Sequence, residues 1–208
     1  MTQEKIAENK ELFTKLLNGT GRKGIVDVIK GLEQLGFFSA PASARHHLAE
    51  EGGLLQHSLN VYEQAVEIAA VERAMHPEIL GLYTESIVIA SLLHDVCKSD
   101  VYKRVEKFRK DKDGKWEKYL AYENDQGKFP IGHGEKSVIM LLRMGLSLTE
   151  DEMYAIRWHM AGWDLSDYRE SRDSFGKACE KSPLLSVLIA ADELATRITE
   201  GGHRTEIK

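Results

Sequence analysis

The chain is short of cysteine, of long apolar runs and of basic charge, and each shortage excludes a class of protein. Cys97 and Cys179 are its 2 cysteines in 208 residues, too few for a disulfide framework. Cys97 lies inside the central motif, where a disulfide would be awkward, so the chain reads as a reduced, cytoplasmic protein. No apolar run approaches the ~20 residues of a membrane span, and the charged, polar N-terminus is not that of a signal peptide. A net charge of -5 provides no global basic field for nucleic acid. Neither repeats nor low-complexity segments stand out, and no Ser-, Cys- or Lys-centred nucleophilic triad is convincing. What remains is 42% hydrophobic, enough for one sizeable core, or a core with a small appendage.

The chain is organised around Ser91-Leu92-Leu93-His94-Asp95-Val96-Cys97-Lys98. Ile87 to Leu93 is apolar almost all round, as in a helix buried mid-domain. His94 and Asp95 appear side by side where that run stops. A buried carboxylate needs a partner, and a metal ion satisfies a carboxylate and a neutral imidazole together. If the helix continues, Lys98 points to the same side as His94 and Asp95. A cation beside a metal suits an anionic substrate such as a phosphate ester.

Taken in order, residues 3–18 and 23–35 read as amphipathic helices, closed by Gly19 and Gly36. His46 and His47 precede Gly52-Gly53 and are either solvated loop histidines or the rim of a pocket. Residues 54–70 form a strong helix holding His57 among apolar neighbours, and 71–77 a connection. Near residues 101–122 the period changes around Asp113-Gly114, a hairpin signal. This basic β-hairpin is either a solvated ribbon with lysine-blocked edges or a flap over a polyanionic substrate. His133, between two glycines, opens the next helix, whose free N–H groups can receive a phosphate oxygen. Thr149 to Glu152 is a capping box, and His159 falls near the end of the helix it starts. Residues 164–181 look polar and irregular, with one helical turn. Ser182-Pro183 starts a nearly all-apolar helix interrupted by Asp192, with Arg197 five residues on. Residues 201–208 look like a disordered tail.

Collected, His57, His94, Asp95, His133, His159 and Asp192 are metal-ligand types set in apolar patterns. Their order and surroundings resemble the HD-domain superfamily of metal-dependent phosphohydrolases. The resemblance rests on Gly53-Leu54-Leu55-Gln56-His57-Ser58-Leu59, Leu93-His94-Asp95-Val96-Cys97-Lys98, Gly132-His133-Gly134, Trp158-His159 and Ala191-Asp192. It implies an all-α, HD-domain-like bundle over residues 45–200, with the small hairpin inserted and residues 1–44 packed on it as a helical extension. It also implies one metal on His57, His94, Asp95 and Asp192, and a second on His133 and His159 bridged by Asp95. Binuclear relatives often carry two adjacent histidines at the fourth motif; here the second place is Met160, which leaves that metal short of a protein ligand.

Imidazoles with carboxylates suit one or two divalent transition ions, Mn, Fe, Co, Ni or Zn, better than Ca. Such an ion makes hydroxide available near neutral pH. Asp95 would ligate metal and orient the water. Lys98, with Lys136 and Arg197, would bind substrate and neutralise charge on the phosphoryl oxygens. The expected function is hydrolysis of a phosphomonoester or phosphodiester of a small nucleotide or nucleotide-like substrate, a short oligonucleotide being a further candidate. Two alternatives stay open: a non-catalytic metal and nucleotide sensor, and a diiron oxygenase on the same scaffold.

Overall fold

A computed structural model of the chain describes residues 1–79, 81–125, 129–166 and 168–201. The fold is mainly helical with one two-stranded antiparallel hairpin. Helix α1 (Gln3–Gly19) is capped by Thr2, whose hydroxyl accepts from the Lys5 amide. Helix α2 (Ile25–Leu35) ends on Gly36 in a left-handed conformation, the backbone state that costs glycine least. Phe13 of α1 packs against Phe37 and Phe38 just beyond α2, with ring centroids 5.3 and 5.6 Å away. Phe13, Leu17, Val28 and Leu32 belong to the same buried cluster as Leu54, Leu92, Leu141 and Leu188.

Helix α3 (Gly53–Met75) and helix α4 (Thr84–Leu93) form the centre. Every residue of α4 from Ser86 to Leu93 is buried, which explains its lack of a polar face. The first turn of α3 is pressed against the preceding loop: a Cβ on Gly53 would lie 2.0 Å from the Leu48 carbonyl oxygen. Only glycine permits that approach, and it sets the entry of the helix that carries His57. Helix α3 runs to Met75, so the connection expected from residue 71 is helical instead. Its end projects past the apolar stripe into solvent, secured by Arg73 Nε donating to the Leu82 carbonyl at 2.9 Å.

Strands β1 (Tyr102–Lys110) and β2 (Trp116–Asn124) pair from Tyr102↔Asn124 to Lys110↔Trp116. Several of the hairpin's cations face glutamates: Lys107 reaches Glu123 at 2.8 Å, and Lys118 and Arg109 reach Glu106 and Glu117 at 2.5 Å. Helix α5 (His133–Arg143) and helix α6 (Glu150–Trp158) pack together, and α6 packs on α8 (Pro183–Leu194). The Thr149–Glu152 capping box is present.

The irregular stretch expected over 164–181 is corrected to a full helix, α7 (Arg169–Lys181). Its apolar stripe is thin, Phe175, Ala178 and Cys179, yet at helical spacing it suffices to dock on the core. A π-helical turn, Ala195–Thr199, continues from α8. Apart from Gly201, the expected tail lies outside the described residues. Among the described residues no helix is long and apolar enough to cross a membrane.

Candidate metal centre

The helix carrying the central motif stops at Leu93 rather than continuing. Asp95 leaves the helical conformation at φ -104°, ψ 19°, and a 3-10 turn, Val96–Asp100, follows. The turn still brings Lys98 Nζ to 2.6 Å from Asp95 Oδ2. His94 and Asp95 thus sit at the buried floor of the fold, 0% and 1% exposed. His159 caps the end of α6 in the same way, and His133 is the first residue of α5.

Asp95 stands in the middle. Its Oδ2 faces His94 Nε2 at 3.4 Å and His57 Nε2 at 3.5 Å. Its Oδ1 faces His133 Nε2 at 2.7 Å and His159 Nε2 at 3.5 Å. Asp192 Oδ1 approaches His57 Nε2 to 3.3 Å. Adjacent imidazoles pack ring to ring: His57–His94 5.3 Å, His94–His159 4.8 Å, His133–His159 5.2 Å between centroids. The six residues expected from sequence to hold metal are therefore together, although they come from α3, α5, α8 and the ends of α4 and α6.

The protons of these rings are assigned by their neighbours. His94 Nδ1 donates to the Ser91 carbonyl and His159 Nδ1 to the Ile156 carbonyl, both at 2.8 Å. A carbonyl only accepts, so in the neutral ring each Nε2 carries the lone pair. His57 Nδ1 is held at 3.0 Å by Glu200 Oε1, which also accepts from Asn60 Nδ2 at 2.9 Å. Among the described residues, Nε2 of His57, His94 and His159 has no hydrogen-bond partner despite complete burial. Buried nitrogens without partners are costly. Three of them turned toward two carboxylates, with the far nitrogens fixed by hydrogen bonds, form a donor set with outer support that could hold a divalent ion. The residues fit the metal: His57, His94 and Asp192 make one group with ligand atoms within 4.8 Å of one another, His94, Asp95 and His159 another, and Asp95, Cys97 and His133 a third.

The electrostatics point the same way. Burial works against the Asp95 carboxylate, but Lys98, His94, the bond from His133 and the nearby His159 imidazole hold its pKa well below the usual range. Burial also opposes Asp192, and the close approach of His57 with the neighbouring histidines His94 and His159 outweighs it, again lowering the pKa. Desolvation pulls His57 down, yet Asp192, Asp95 and Glu200 lift it well above its ordinary value. His133 is lowered by burial and raised more by Cys97 and Asp95, to about 9.

A cavity of about 300 Å³ opens over the Lys98 side of the cluster, edged by His47, Met160, Trp163, Asp192 and Arg197. Leu48 and Ala161, next to two of these edges, are the non-glycine residues with positive φ among those described. Such backbone strain collects at functional sites. His47 is therefore part of the rim, while His46 is exposed. Arg197 reaches the rim on an exposed side chain paired with Glu193. Lys136 does not join the cluster: it is buried, bound to Asp100 at 2.5 Å, and lines other cavities. Sequence reasoning missed Glu200 and the closeness of Cys97 to His133. Nothing marks Glu200 in the sequence, where it is one polar residue among several near the end of the chain.

Fold and site together define a helical protein with a buried histidine–aspartate centre suited to a divalent metal. A family model for the HD domain matches residues 54–197, more than half the chain. The chain belongs to the HD-domain superfamily, whose members are mostly metal-dependent phosphohydrolases. No curated protein and no solved structure matches it.

Proposed function

We propose that the protein is a metal-dependent phosphohydrolase that cleaves a phosphomonoester or phosphodiester bond of a nucleotide-like substrate. The observation that carries this reading is the convergence of three unpartnered, buried Nε2 atoms on Asp95 and Asp192, beneath a cavity edged by cationic side chains. A divalent ion held by His57, His94, Asp95 and Asp192 would supply a Lewis acid and an acidified water at that floor. Lys98 is fixed by Asp95 and lines the cavity, so it offers a positive charge to a phosphoryl oxygen without moving. Arg197 adds a second cation at the rim. Trp163, 78% exposed on the cavity edge, offers a face on which a base can stack. A cavity of about 300 Å³ fits a small phosphorylated molecule better than a polymer. Cys97 and Cys179 are both free thiols, which fits a reducing, cytoplasmic setting.

The test is elemental analysis of wild type and Asp95→Ala, purified without chelator, then a hydrolysis screen with the ion found. One or two transition ions per wild-type chain, lost in the variant, together with turnover of a nucleotide phosphate, are expected. A folded protein that stays empty after exposure to Mn, Fe, Co, Ni and Zn in turn refutes the reading. So does a loaded protein that hydrolyses no phosphate ester.

A further inference from the structure

The proposed function uses one half of the cluster; in the other, the second ion that the resemblance implies on His133, His159 and Asp95 is short of a protein ligand because Met160 stands where relatives often have histidine. The two oxygens of Asp95 divide the cluster: Oδ2 serves His57, His94 and Lys98, while Oδ1 serves His133 and His159. On the Oδ1 side the buried Nε2 of His159 has no hydrogen-bond partner among the described residues. Two imidazoles and one carboxylate oxygen make three ligands, one short of a closed four-coordinate site. The side chain at hand for the fourth is Cys97. Its Sγ lies 3.4 Å from His133 Nδ1 and 3.6 Å from His133 Nε2, and the residue is 2% exposed.

The placement of this thiol is built in. Cys97 is the second residue of the 3-10 turn, and its backbone N–H donates to Ser137 Oγ at 3.1 Å. Ser137 stands on α5, one turn beyond His133, so sulfur and imidazole are held in register by the same helix. Bonds of about 2.3 Å to sulfur and 2.0–2.1 Å to nitrogen put tetrahedral ligand atoms roughly 3.5 Å apart. The 3.6 Å between Sγ and Nε2 already matches. A second cavity, about 430 Å³ and lined by Cys97, Phe129, His133 and Asp164, gives an ion its own way in.

We propose that Cys97, grouped with His133 and Asp95, adds a thiolate to the second metal position that the family resemblance implies on His133, His159 and Asp95, which makes that position distinct in ligand chemistry from the first. On binding, the thiol proton leaves to solvent and the sulfur bonds the ion. Thiolate selects thiophilic ions such as Zn or Co(II) over Mn, Mg or Ca. The centre is therefore an unequal pair, nitrogen and oxygen ligands on one side and a sulfur ligand on the other. The inference rests on the proposed reading only in that Asp95 is shared by both ions.

Co(II) titration of the metal-free protein tests it, with bound cobalt counted by elemental analysis and the near-ultraviolet spectrum recorded. Wild type should bind two ions and develop an intense sulfur-to-cobalt charge-transfer band. Cys97→Ser should lose the band and one ion while keeping the other, and Cys179→Ser should behave as wild type. Cadmium-113 NMR of the wild type gives the same readout without mutation: one resonance shifted downfield by a sulfur ligand and one not. Cobalt bound with no charge-transfer band, or two ions retained by Cys97→Ser, overturns the thiolate position and leaves the first metal standing. No cobalt or cadmium bound at all overturns both.

Discussion

Replacing Glu200 by glutamine should keep the shape of the centre while removing a charge that no ligand list from the sequence contains. Glu200 Oε1 accepts from His57 Nδ1 at 3.0 Å and from Asn60 Nδ2 at 2.9 Å. Glutamine keeps both bonds with its carbonyl oxygen. The bond from the imidazole, however, changes from charge-assisted, worth about 1.5–3 kcal/mol, to neutral, worth about 0.5–1.5 kcal/mol. The difference, about 1–2 kcal/mol, is the push that makes His57 Nε2 a better ligand. It corresponds to roughly 5- to 30-fold in metal affinity, overlapping the lower part of the range found for outer partners of ligating histidines, about 10- to 100-fold. Competition against a chromophoric chelator measures it directly, and Glu200→Ala, which also frees the ring to turn, should lose more. Affinity unchanged within about twofold in both variants, with the fold intact, would refute the role of Glu200 and the assignment of His57 as a ligand.

Three further outcomes follow from the geometry. Gly134→Ala should destabilise the protein in urea by about 1–3 kcal/mol and weaken metal binding, because its Cβ would lie 2.0 Å from the Arg157 carbonyl oxygen and push α5, with His133, off α6. Glu152→Gln should cost about 3 kcal/mol in urea and leave metal content unchanged, since that buried carboxylate takes both Arg22 nitrogens at 2.8 Å, Ser86 Oγ at 2.7 Å and the Thr149 amide far from the centre. In the metal-free protein His57 and His133 both have pKa values above that of an unfolded histidine, His133 at about 9. The stabilisation from each is therefore complete below about pH 6.5; that from His133 is lost as pH rises through about 9, and that from His57 as pH rises through its own raised pKa. Melting temperature with chelator present should fall across that window, while metal affinity rises because the same protons no longer compete; a flat melting curve would contradict the assignment.

How much of this was legible beforehand depended on contrast. His57, His94, Asp95, His159 and Asp192 were visible because each is a polar residue in an apolar helical pattern, where its presence needs a reason. His133 showed through its flanking glycines, and the close pass of Gly134 by Arg157 explains why one of them is required. Glu200 was invisible for the opposite reason: in a polar stretch a carboxylate raises no question, and its contact with His57 spans 143 residues. Cys97 stands out in the sequence only as a cysteine awkwardly placed for a disulfide, and its nearness to His133 depends on α5. Lys136 is expected beside Lys98 and Arg197 as a cation for the phosphoryl oxygens; its side chain instead turns to Asp100, supplied by another element. Helix α7 was overlooked because its stripe is three residues wide, and only the core it docks on makes that enough.

The cluster also explains its own charge balance. Asp95, Asp192 and Glu200 are carboxylates gathered in one buried place, and among the described residues Lys98 is the lysine paired with them, through Asp95. Without an ion, protonated His57 and His133 provide the remaining positive charge, which is why burial fails to depress their pKa values. A divalent ion held by these residues would take the place of those protons and supply the positive charge instead. Binding therefore exchanges one set of cations for another within a preformed shell rather than assembling the shell. On this reasoning loss of metal should abolish binding chemistry long before it unfolds the bundle, and the stripped protein should be most stable where His57 and His133 hold their protons.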